Sequence, residues 1–286
     1  MASPLFSIII PTYSRPDLLR EAVGSVLAQT VGDFECIVVD DASPLPATVD
    51  ADRRIRLIHR SRNGGPAAAR NTGLSAATGR YVTFLDDDDL YTSDRLAVAL
   101  EGLTHARLAT CWMRHLDAPA GNNRILSDRV SDTILDDLTP HLGAVAVERA
   151  VIVPFDEQFI AAEDIDWWLR MAHVSTVYTV TKIGYLMRRH PGPRHGIDAA
   201  ARVRGRLLLL EMHAAYFATR PRASTFQWKR LGLLARESGD HAFARRAFLR
   251  SLSMIPEIDT LWHLVRSFRP SRTRGTNRTS LPLSES

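Results

Sequence analysis

The chain has 286 residues, of which 45% are hydrophobic and 24% are charged, and its formal net charge is +4 at neutral pH. This composition is ordinary for a globular protein with a sizeable core. Cys36 and Cys111 both lie inside apolar runs, which favours buried thiols in a reducing compartment over a disulfide framework. No stretch approaches the ~20 apolar residues that span a bilayer, and no secretory signal is visible. We therefore expect a cytoplasmic protein, either soluble or peripheral to the inner face of a membrane.

The first hundred residues alternate short apolar runs with helical patterns. The apolar runs predict buried strands over 6–10, 34–39, 55–58 and 81–85, and the helical spacing predicts helices after Ser14 and over 66–77. Strands that alternate with helices at this spacing indicate an α/β fold with a doubly wound, mostly parallel sheet flanked by helices. Ligands of such sheets bind beyond the carboxyl ends of the strands, where this chain carries its polar motifs.

The pattern of predicted secondary structure changes twice in the rest of the chain. Residues 103–185 mix short strands with loops rich in Asp, Asn and Pro, and from Ala199 the pattern turns helical. The helical spacing predicts an all-helical C-terminal extension over 199–268, with helices over 207–217, 226–237, 241–254 and 258–268. Residues 269–286 form a basic tail, for which we expect a solvated and poorly ordered segment, with contact to anionic lipid headgroups as the alternative.

An acidic run, Asp86-Asp87-Asp88-Asp89, follows the apolar segment 81–85. On an extended segment Asp86 and Asp88 would point the same way. Two carboxylates about 6 Å apart repel by roughly 3 kcal/mol at an effective dielectric of about 20, so the run calls for a counter-ion. A divalent Mg²⁺ or Mn²⁺ that bridges carboxylates and a pyrophosphate meets this need. The alternative is a solvated acidic turn that precedes the next helix.

Five motifs in order give the chain a specific resemblance. They are Ser7-Ile8-Ile9-Ile10-Pro11-Thr12-Tyr13-Ser14-Arg15, Val38-Val39-Asp40-Asp41-Ala42-Ser43, Asn63-Gly64-Gly65-Pro66-Ala67-Ala68-Ala69-Arg70-Asn71, Phe84-Leu85-Asp86-Asp87-Asp88-Asp89 and Glu163-Asp164-Ile165-Asp166-Trp167-Trp168-Leu169-Arg170. Residues 6–100 resemble the nucleotide-binding half of family 2 glycosyltransferases, which have the GT-A fold. The resemblance implies a catalytic domain over 1–198, in which 1–100 bind a nucleotide-sugar and 101–198 supply the acceptor side and a lid loop.

The resemblance also implies roles for individual residues around the nucleotide. The residues implied in donor binding are Pro11, Thr12, Tyr13, Arg15, Asp41, Arg70, Asp86 and Asp87. The Tyr13 ring would offer an apolar surface to the base, and Asp41 would accept the uracil N3 hydrogen. This contact is also open to thymine and, with adjustment, to guanine, so it suggests UDP without excluding TDP or GDP. The implied metal ligands are Asp88, Asp86 and His190, with His195 a weaker candidate in the same Gly- and Pro-rich loop.

The fifth motif carries the implied catalytic residues. Asp164 would take the proton of the attacking acceptor hydroxyl, and Glu163 would orient Asp164 or contact the acceptor. The alternative is that both acids only complement the positive end of the helix that follows. Trp167 and Trp168 are adjacent and point different ways around that helix, so we expect one in the core and the other available to stack on an acceptor sugar.

These roles describe an inverting glycosyltransferase that moves a sugar from a nucleotide-sugar, in our expectation a UDP-sugar, to a hydroxyl or other nucleophile. Two alternatives stay open: a non-catalytic scaffold that binds nucleotide-sugars or a partner, and a sugar-phosphate nucleotidyltransferase. The second expects a Gly-rich triphosphate loop after the first strand, and residues 11–15 contain no glycine. No nucleic-acid recognition motif is present, so we expect no nucleic-acid partner.

Overall fold

The computed structural model of the chain describes residues 3–116, 141–189 and 199–268. Its first half is a parallel α/β unit. The strands are β1 (Phe6–Thr12), β2 (Phe34–Asp40), β3 (Ile55–His59) and β4 (Tyr81–Phe84), and the helices are α1 (Pro16–Leu27) and α2 (Gly65–Ala76). The strands pair in parallel in the order β3-β2-β1-β4, so the carboxyl ends of β1, β2 and β4 meet at one edge. The predicted strands and helices of this half are confirmed.

The second half of the sheet is mixed. It contains β5 (Leu90–Tyr91), β6 (Leu108–His115), β7 (Val145–Glu148) and β8 (Val177–Met187), with helices α3 (Arg95–Leu103) and α4 (Glu163–Ala172) and short 3₁₀ turns at Leu142–Ala144 and Arg149–Val151. The sheet continues from β4 in the order β7-β6-β8-β5, and only β6 and β8 pair in parallel among these strands of the described ranges. The predicted parallel character therefore holds for the nucleotide half, and antiparallel pairings extend the sheet beyond it.

Successive side chains of β1 point to opposite faces of the sheet, and different helices cover each face. Ile8 and Ile10 pack on one face with α1 and α3, whereas Ile9 packs on the other face with α2 and α4. Trp167 and Trp168 are both fully buried on the α4 side. The expectation that one of these rings is available to a sugar is wrong, because adjacent positions of α4 are both enclosed by strands, loops and the C-terminal helices.

The C-terminal extension is helical, as predicted. Its helices are α5 (Ala199–Met212), α6 (Ala214–Ala218), α7 (Pro221–Glu237), α8 (His241–Met254) and α9 (Ile258–Arg266). Leu231 and Phe248 join α7 and α8 in a core of their own, whereas Leu209 of α5 and Phe217 of α6 pack into the main core beside α4. The His213 ring also contacts the buried Asp166 carboxylate at 2.8 Å. The extension is thus continuous with the α/β unit through α5 and α6.

Several sequence predictions concern other parts of the molecule. Cys36 and Cys111 are buried free thiols, as expected. Over the described ranges, no helix has the length and apolarity needed to cross a membrane. The tail over 269–286 and the loop that carries His190 and His195 lie outside the described residues. The division into domains at residue 198 stays a prediction.

The shared core predicts that α5 contributes to the stability of the whole unit. Leu209→Ala should lower the free energy of unfolding by about 2–5 kcal/mol, because it removes a fully buried leucine from the cluster that contains Trp167. Leu249→Ala, at a half-exposed leucine of α8, is the matched control and should change it by less than about 0.5 kcal/mol. Denaturant unfolding measures both, and equal effects of the two substitutions would contradict the shared core.

Candidate active site

A cleft of about 700 Å³ opens at the carboxyl ends of β1, β2 and β4. Every predicted site residue within the described ranges lines it: Pro11, Thr12, Tyr13, Arg15, Asp41, Arg70, Asp86, Asp87, Asp88, Glu163 and Asp164. The first nine come from the nucleotide half, and the last two come from the start of α4. Sequence motifs that are up to 150 residues apart therefore form one site.

The acidic run is a tight turn and not an extended segment. Strand β4 ends at Phe84, and the Asp89 N–H donates to the Asp86 carbonyl at 3.1 Å. The premise that Asp86 and Asp88 alternate along a strand is wrong for this reason, although both line the cleft. The turn instead brings Asp86 and Asp89 together with His141, and one ligand atom of each lies within 4.8 Å of the other two.

Arg15 compensates two carboxylates of the turn. Its Nη1 donates to Asp87 Oδ1 at 2.7 Å and to Asp88 Oδ2 at 2.8 Å, and the Thr12 hydroxyl donates to the second oxygen of Asp87 at 2.7 Å. Burial raises the pKa of Asp87 to about 6 in spite of Arg15. Residues that we assigned to the nucleotide therefore also hold the acidic turn in shape.

Asp89 is the most enclosed carboxylate of the cluster. It accepts hydrogen bonds from the Tyr185 hydroxyl and, at 2.7 Å, from the Arg188 N–H. Burial raises the pKa of Asp89 to about 6, and Asp86 adds to the effect. His141 Nε2 lies 3.6 Å from Asp86 Oδ2, and its ring stacks on Tyr185. Asp89 and Tyr185 thus form the wall behind the two groups that face the cleft, Asp86 and His141.

Arg70 joins the acidic turn to α4. Its guanidinium is buried and donates to Asp86 Oδ1 and to Glu163 Oε1, each at 2.8 Å. Burial disfavours the charge, but the two carboxylates hold the pKa of Arg70 above its ordinary value. Burial raises the pKa of Glu163 to about 7, although Arg70 acts to lower it. The implied donor side and acceptor side are therefore connected through one cation.

Asp164 is the carboxylate of α4 that faces the cleft with the fewest internal partners. Its Oδ1 accepts from the Ile165 N–H at 2.9 Å. The preceding Ala162 has a left-handed backbone, with φ of 68°, which turns the chain sharply into α4. Asp166 has no exposed surface and is paired with Arg170 at 2.6 Å, so it does not compete with Asp164 as a cleft-facing acid. The geometry leaves Asp164 available to a bound acceptor.

Asp41 already has internal donors. Its carboxylate accepts from the Arg60 guanidinium and from the N–H groups of Gly64 and Gly65, the latter at 2.7 Å. Gly65 has φ of +80°, which explains the need for glycine where α2 begins. Asp41 thus shapes the loop that leads to Arg70, while the half-exposed Tyr13 ring offers a surface at the mouth of the cleft.

Sequence reasoning missed His141, Asp89 and three arginines of the extension, Arg202, Arg206 and Arg230, which also line or support the cleft. His141 belongs to none of the five motifs. The structure places it by its stacking on the Tyr185 ring, which lies so close to Gly143 that a Cβ there would overlap it. The arginines belong to helices whose packing no motif specifies.

Comparison with known proteins identifies the family. Residues 7–141 match the model of glycosyl transferase family 2. The Escherichia coli UDP-Glc:alpha-D-GlcNAc-diphosphoundecaprenol beta-1,3-glucosyltransferase WfgD is 29% identical over 175 residues, which cover 58% of this chain and 68% of that protein. The chain covers as little as 16% of the length of other curated relatives that it matches. The family resemblance that the motifs implied is confirmed, and residues 7–141 carry a glycosyl transferase family 2 domain.

Two solved structures share the fold. The S. aureus TarS 1-349 structure in complex with UDP-GlcNAc is 17% identical, with a TM-score of 0.59 over 91% of this chain and 90% of that one. A Pyrobaculum calidifontis mannosyltransferase in complex with GDP-Man and Mn2+ is 19% identical, with a TM-score of 0.59 over 92% of this chain and 79% of that one. The fold is therefore GT-A, as the motifs implied.

The buried acids predict an unusual pH dependence of stability. The pKa values of Asp87 and Asp89 are raised to about 6 and that of Glu163 to about 7, whereas unfolded carboxyls titrate near 4. A raised pKa favours the folded state at low pH, and this contribution is lost as pH rises through the folded pKa. The melting temperature of the metal-free protein should therefore fall between pH 5 and pH 8.

Glu163→Gln should make the decrease in melting temperature between pH 5 and pH 8 smaller, because it removes one titrating group. The amide keeps a hydrogen-bonding side chain beside Arg70. Glu211→Gln, at an exposed position of α5, should retain the dependence of the parent. Thermal melts in chelator at half-unit pH intervals make the comparison. Parallel curves for Glu163→Gln and the parent would show that Glu163 does not titrate in this window.

Proposed function

We propose that the chain transfers a sugar, with inversion, from a nucleoside diphosphate sugar to a hydroxyl or other nucleophile of an acceptor. The observation that carries the proposal is the single cleft in which Arg70 connects the acidic turn to the Glu163-Asp164 pair. The family 2 domain supports the reaction class. A UDP-sugar is the proposed donor, supported by the UDP-Glc in the name of WfgD and the UDP-GlcNAc in the TarS complex.

The nucleotide would lie over the ends of β1 and β2. Pro11, Thr12 and Tyr13 offer the base and ribose a surface at the cleft mouth. Asp41 is proposed to accept the base N3 hydrogen, which requires the base to share carboxylate oxygens that also accept from Gly64 and Gly65. The diphosphate would then extend towards Asp86 and Arg70, which line the cleft beside the acidic turn.

The residues present fit a divalent cation at the acidic turn. Asp86, Asp89 and His141 offer two carboxylate oxygens and one imidazole nitrogen within 4.8 Å of one another, and Asp88 offers a further carboxylate that lines the cleft. Mn²⁺ or Mg²⁺ accepts such oxygen-rich donor sets. A bound cation would neutralise charge on the leaving diphosphate. Asp86 belongs to both possible sets and is the proposed principal ligand, with Asp88 or His141 beside it.

Residues at the start of α4 are proposed to remove the proton of the acceptor. As the acceptor oxygen attacks the anomeric carbon and the bond to the nucleoside diphosphate breaks, Asp164 would take the acceptor proton. Glu163 is held by Arg70 and would fix the start of α4 rather than move a proton itself. The attack from the face opposite the leaving group accounts for inversion.

We also propose that the protein is cytoplasmic and touches the inner face of a membrane. The support is the exposed apolar surface of α9 and of the residues just after it, where five large apolar residues are half or more exposed: Ile258, Leu261, Trp262, Val265 and Phe268. Arginines flank this surface, with the Arg266 guanidinium 4.3 Å from the Trp262 ring centroid. An amphipathic helix with basic flanks suits an anionic lipid surface.

Asp86→Asn tests the metal site. It should abolish the enhancement of UDP binding by Mn²⁺, because Asp86 belongs to both candidate ligand sets, and the loss of any direct contact between Asp86 and the donor should appear as weaker affinity in chelator. Calorimetric titration of UDP with Mn²⁺ and with chelator measures the two values. An unchanged Mn²⁺ effect would contradict the metal role. Loss of the effect in Asp88→Asn but not in His141→Gln would assign the second ligand to Asp88, and the reverse would assign it to His141.

Asp164→Asn tests the base. The amide keeps the size and hydrogen-bonding reach of the side chain but removes the basic oxygen, so transfer should fall by roughly 10²- to 10⁴-fold while UDP affinity stays within about twofold. Single-turnover transfer and UDP calorimetry on the same preparation separate the two quantities.

Asp17→Asn is the matched control for the base, since Asp17 is an exposed acid in the first turn of α1, as Asp164 is in the first turn of α4. It reproduces the loss of an acidic charge at a helix start and should leave transfer unchanged. A folded Asp164→Asn protein that binds UDP and transfers sugar at the parental rate would exclude Asp164 as the base.

A further inference from the structure

Three arginines of the C-terminal helices line the cleft on the same side as Asp164. Arg202 and Arg206 belong to α5, and Arg230 belongs to α7. None of them lies in the five motifs that carry the family resemblance. The proposed donor and metal roles use Arg15, Arg70 and the acidic turn, so this second group of cations has no part in them.

A close helix contact places two of these arginines beside the start of α4. Arg202 and Arg206 are four residues apart and therefore share a face of α5. Gly205 lies between them, and a Cβ at that position would overlap the carbonyl oxygen of Ala161. Ala161 precedes the left-handed Ala162 that turns the chain into Glu163 and Asp164. The backbone of α5 thus lies directly against the loop that presents the proposed base.

Among the residues that the structure describes, the surroundings of Arg206 supply little negative charge. Its guanidinium donates to the amide oxygen of Gln227, a fully buried neutral side chain. Arg230 is a second positive charge nearby, and Asp164 is the negative group that acts on it. Burial and Arg230 lower the pKa of Arg206 to about 10, so the group stays charged at neutral pH. A largely buried guanidinium beside a second cation costs stability, and an anionic ligand would offset this cost.

We propose that Arg202, Arg206 and Arg230 form a subsite for a phosphate or diphosphate group of the acceptor, next to the hydroxyl that Asp164 deprotonates. Guanidinium groups suit a dianionic phosphate, because each is cationic and presents a planar fork that binds phosphate oxygens in pairs. The subsite would orient the acceptor from α5 and α7, while the donor is held from β1, β2 and β4. The inference rests on the proposed function and names the class of its acceptor.

The test measures phosphate binding after the donor side is filled. Protein saturated with UDP and Mg²⁺ is titrated with inorganic phosphate by calorimetry, and the parent should bind it. Arg206→Gln should weaken phosphate binding at least tenfold while UDP affinity stays within twofold. Arg204→Gln is the matched control, since Arg204 is an exposed arginine of the same helix between Arg202 and Arg206, and it should change neither value.

Arg230→Gln keeps the test valid if the partly buried Arg206 cannot be replaced without unfolding, because Arg230 is exposed and should tolerate substitution. It should weaken phosphate binding in the same direction. Phosphate affinity that is absent in the parent, or equal in the parent, Arg206→Gln and Arg230→Gln, would overturn the subsite. A tenfold loss of UDP affinity in either variant would place the donor diphosphate on these arginines and would also overturn it.

Vesicles identify the source of the phosphate. Binding to phosphatidylcholine vesicles that contain phosphatidic acid, if it is competed by inorganic phosphate and lost in Arg206→Gln, assigns the group to a lipid acceptor. Phosphate binding without such vesicle binding assigns it to a soluble acceptor, and both results support the subsite. Failure of the parent to bind UDP would contradict the proposed function itself, whereas normal UDP binding without phosphate binding would contradict this inference alone.

Discussion

The site depends on the buried ion pairs of Arg70. Its guanidinium contacts Asp86 on the acidic turn and Glu163 at the start of α4, which are 16 and 93 residues away along the chain. The small residues around it let α2 approach the sheet closely, and a Cβ at Gly73 would overlap the Ile9 side chain of β1. Removal of one member of such a buried group costs about 3–5 kcal/mol, because the remaining charges lose their compensation. The position of the proposed base is therefore linked to the position of the acidic turn.

The acidic turn shows how four adjacent carboxylates are kept together. Arg15 compensates Asp87 and Asp88, Arg70 compensates Asp86, and Asp89 is held by the Tyr185 hydroxyl and a backbone N–H. Each of the four carboxylates has an internal partner, so the turn has a defined shape before any ligand binds. Asp86 retains the largest exposed fraction of the residues in these ion pairs, 27% of its side chain. This arrangement favours Asp86 as the group that meets an incoming cation and diphosphate.

The sequence predicted the nucleotide half of the fold well because its strands are continuous apolar runs that end in polar motifs. The carboxyl ends of parallel strands meet at one edge, so Thr12, Asp41 and Asp86 were expected to lie together. A turn at 86–89 was only the alternative prediction, since four identical residues carry no sign of where a strand stops. The burial of both Trp167 and Trp168 depends on α5 and α6, whose packing against α4 has no signature in local periodicity.

The acceptor side was the least predictable part. Arg202 and Arg206 flank Gly205, and a glycine inside a helical pattern signals a close approach, but the sequence does not say what approaches. His141 could be assigned to the site only after Tyr185 and Asp86 were found beside it. These residues contact partners that lie far away along the chain, so neither a motif nor a spacing pattern connects them to the cleft.

The central claim is that this cleft binds a nucleotide-sugar with the help of a divalent cation. A panel of UDP-, GDP- and TDP-sugars, tested by thermal stabilisation with Mn²⁺ and with chelator, measures it directly. A UDP-sugar at 100 times its dissociation constant should raise the free energy of unfolding by about 2.7 kcal/mol, and chelator should remove most of this gain. The same gain should be missing in Asp86→Asn with Mn²⁺ present. A protein that no nucleotide-sugar stabilises, with or without the metal, would contradict the account.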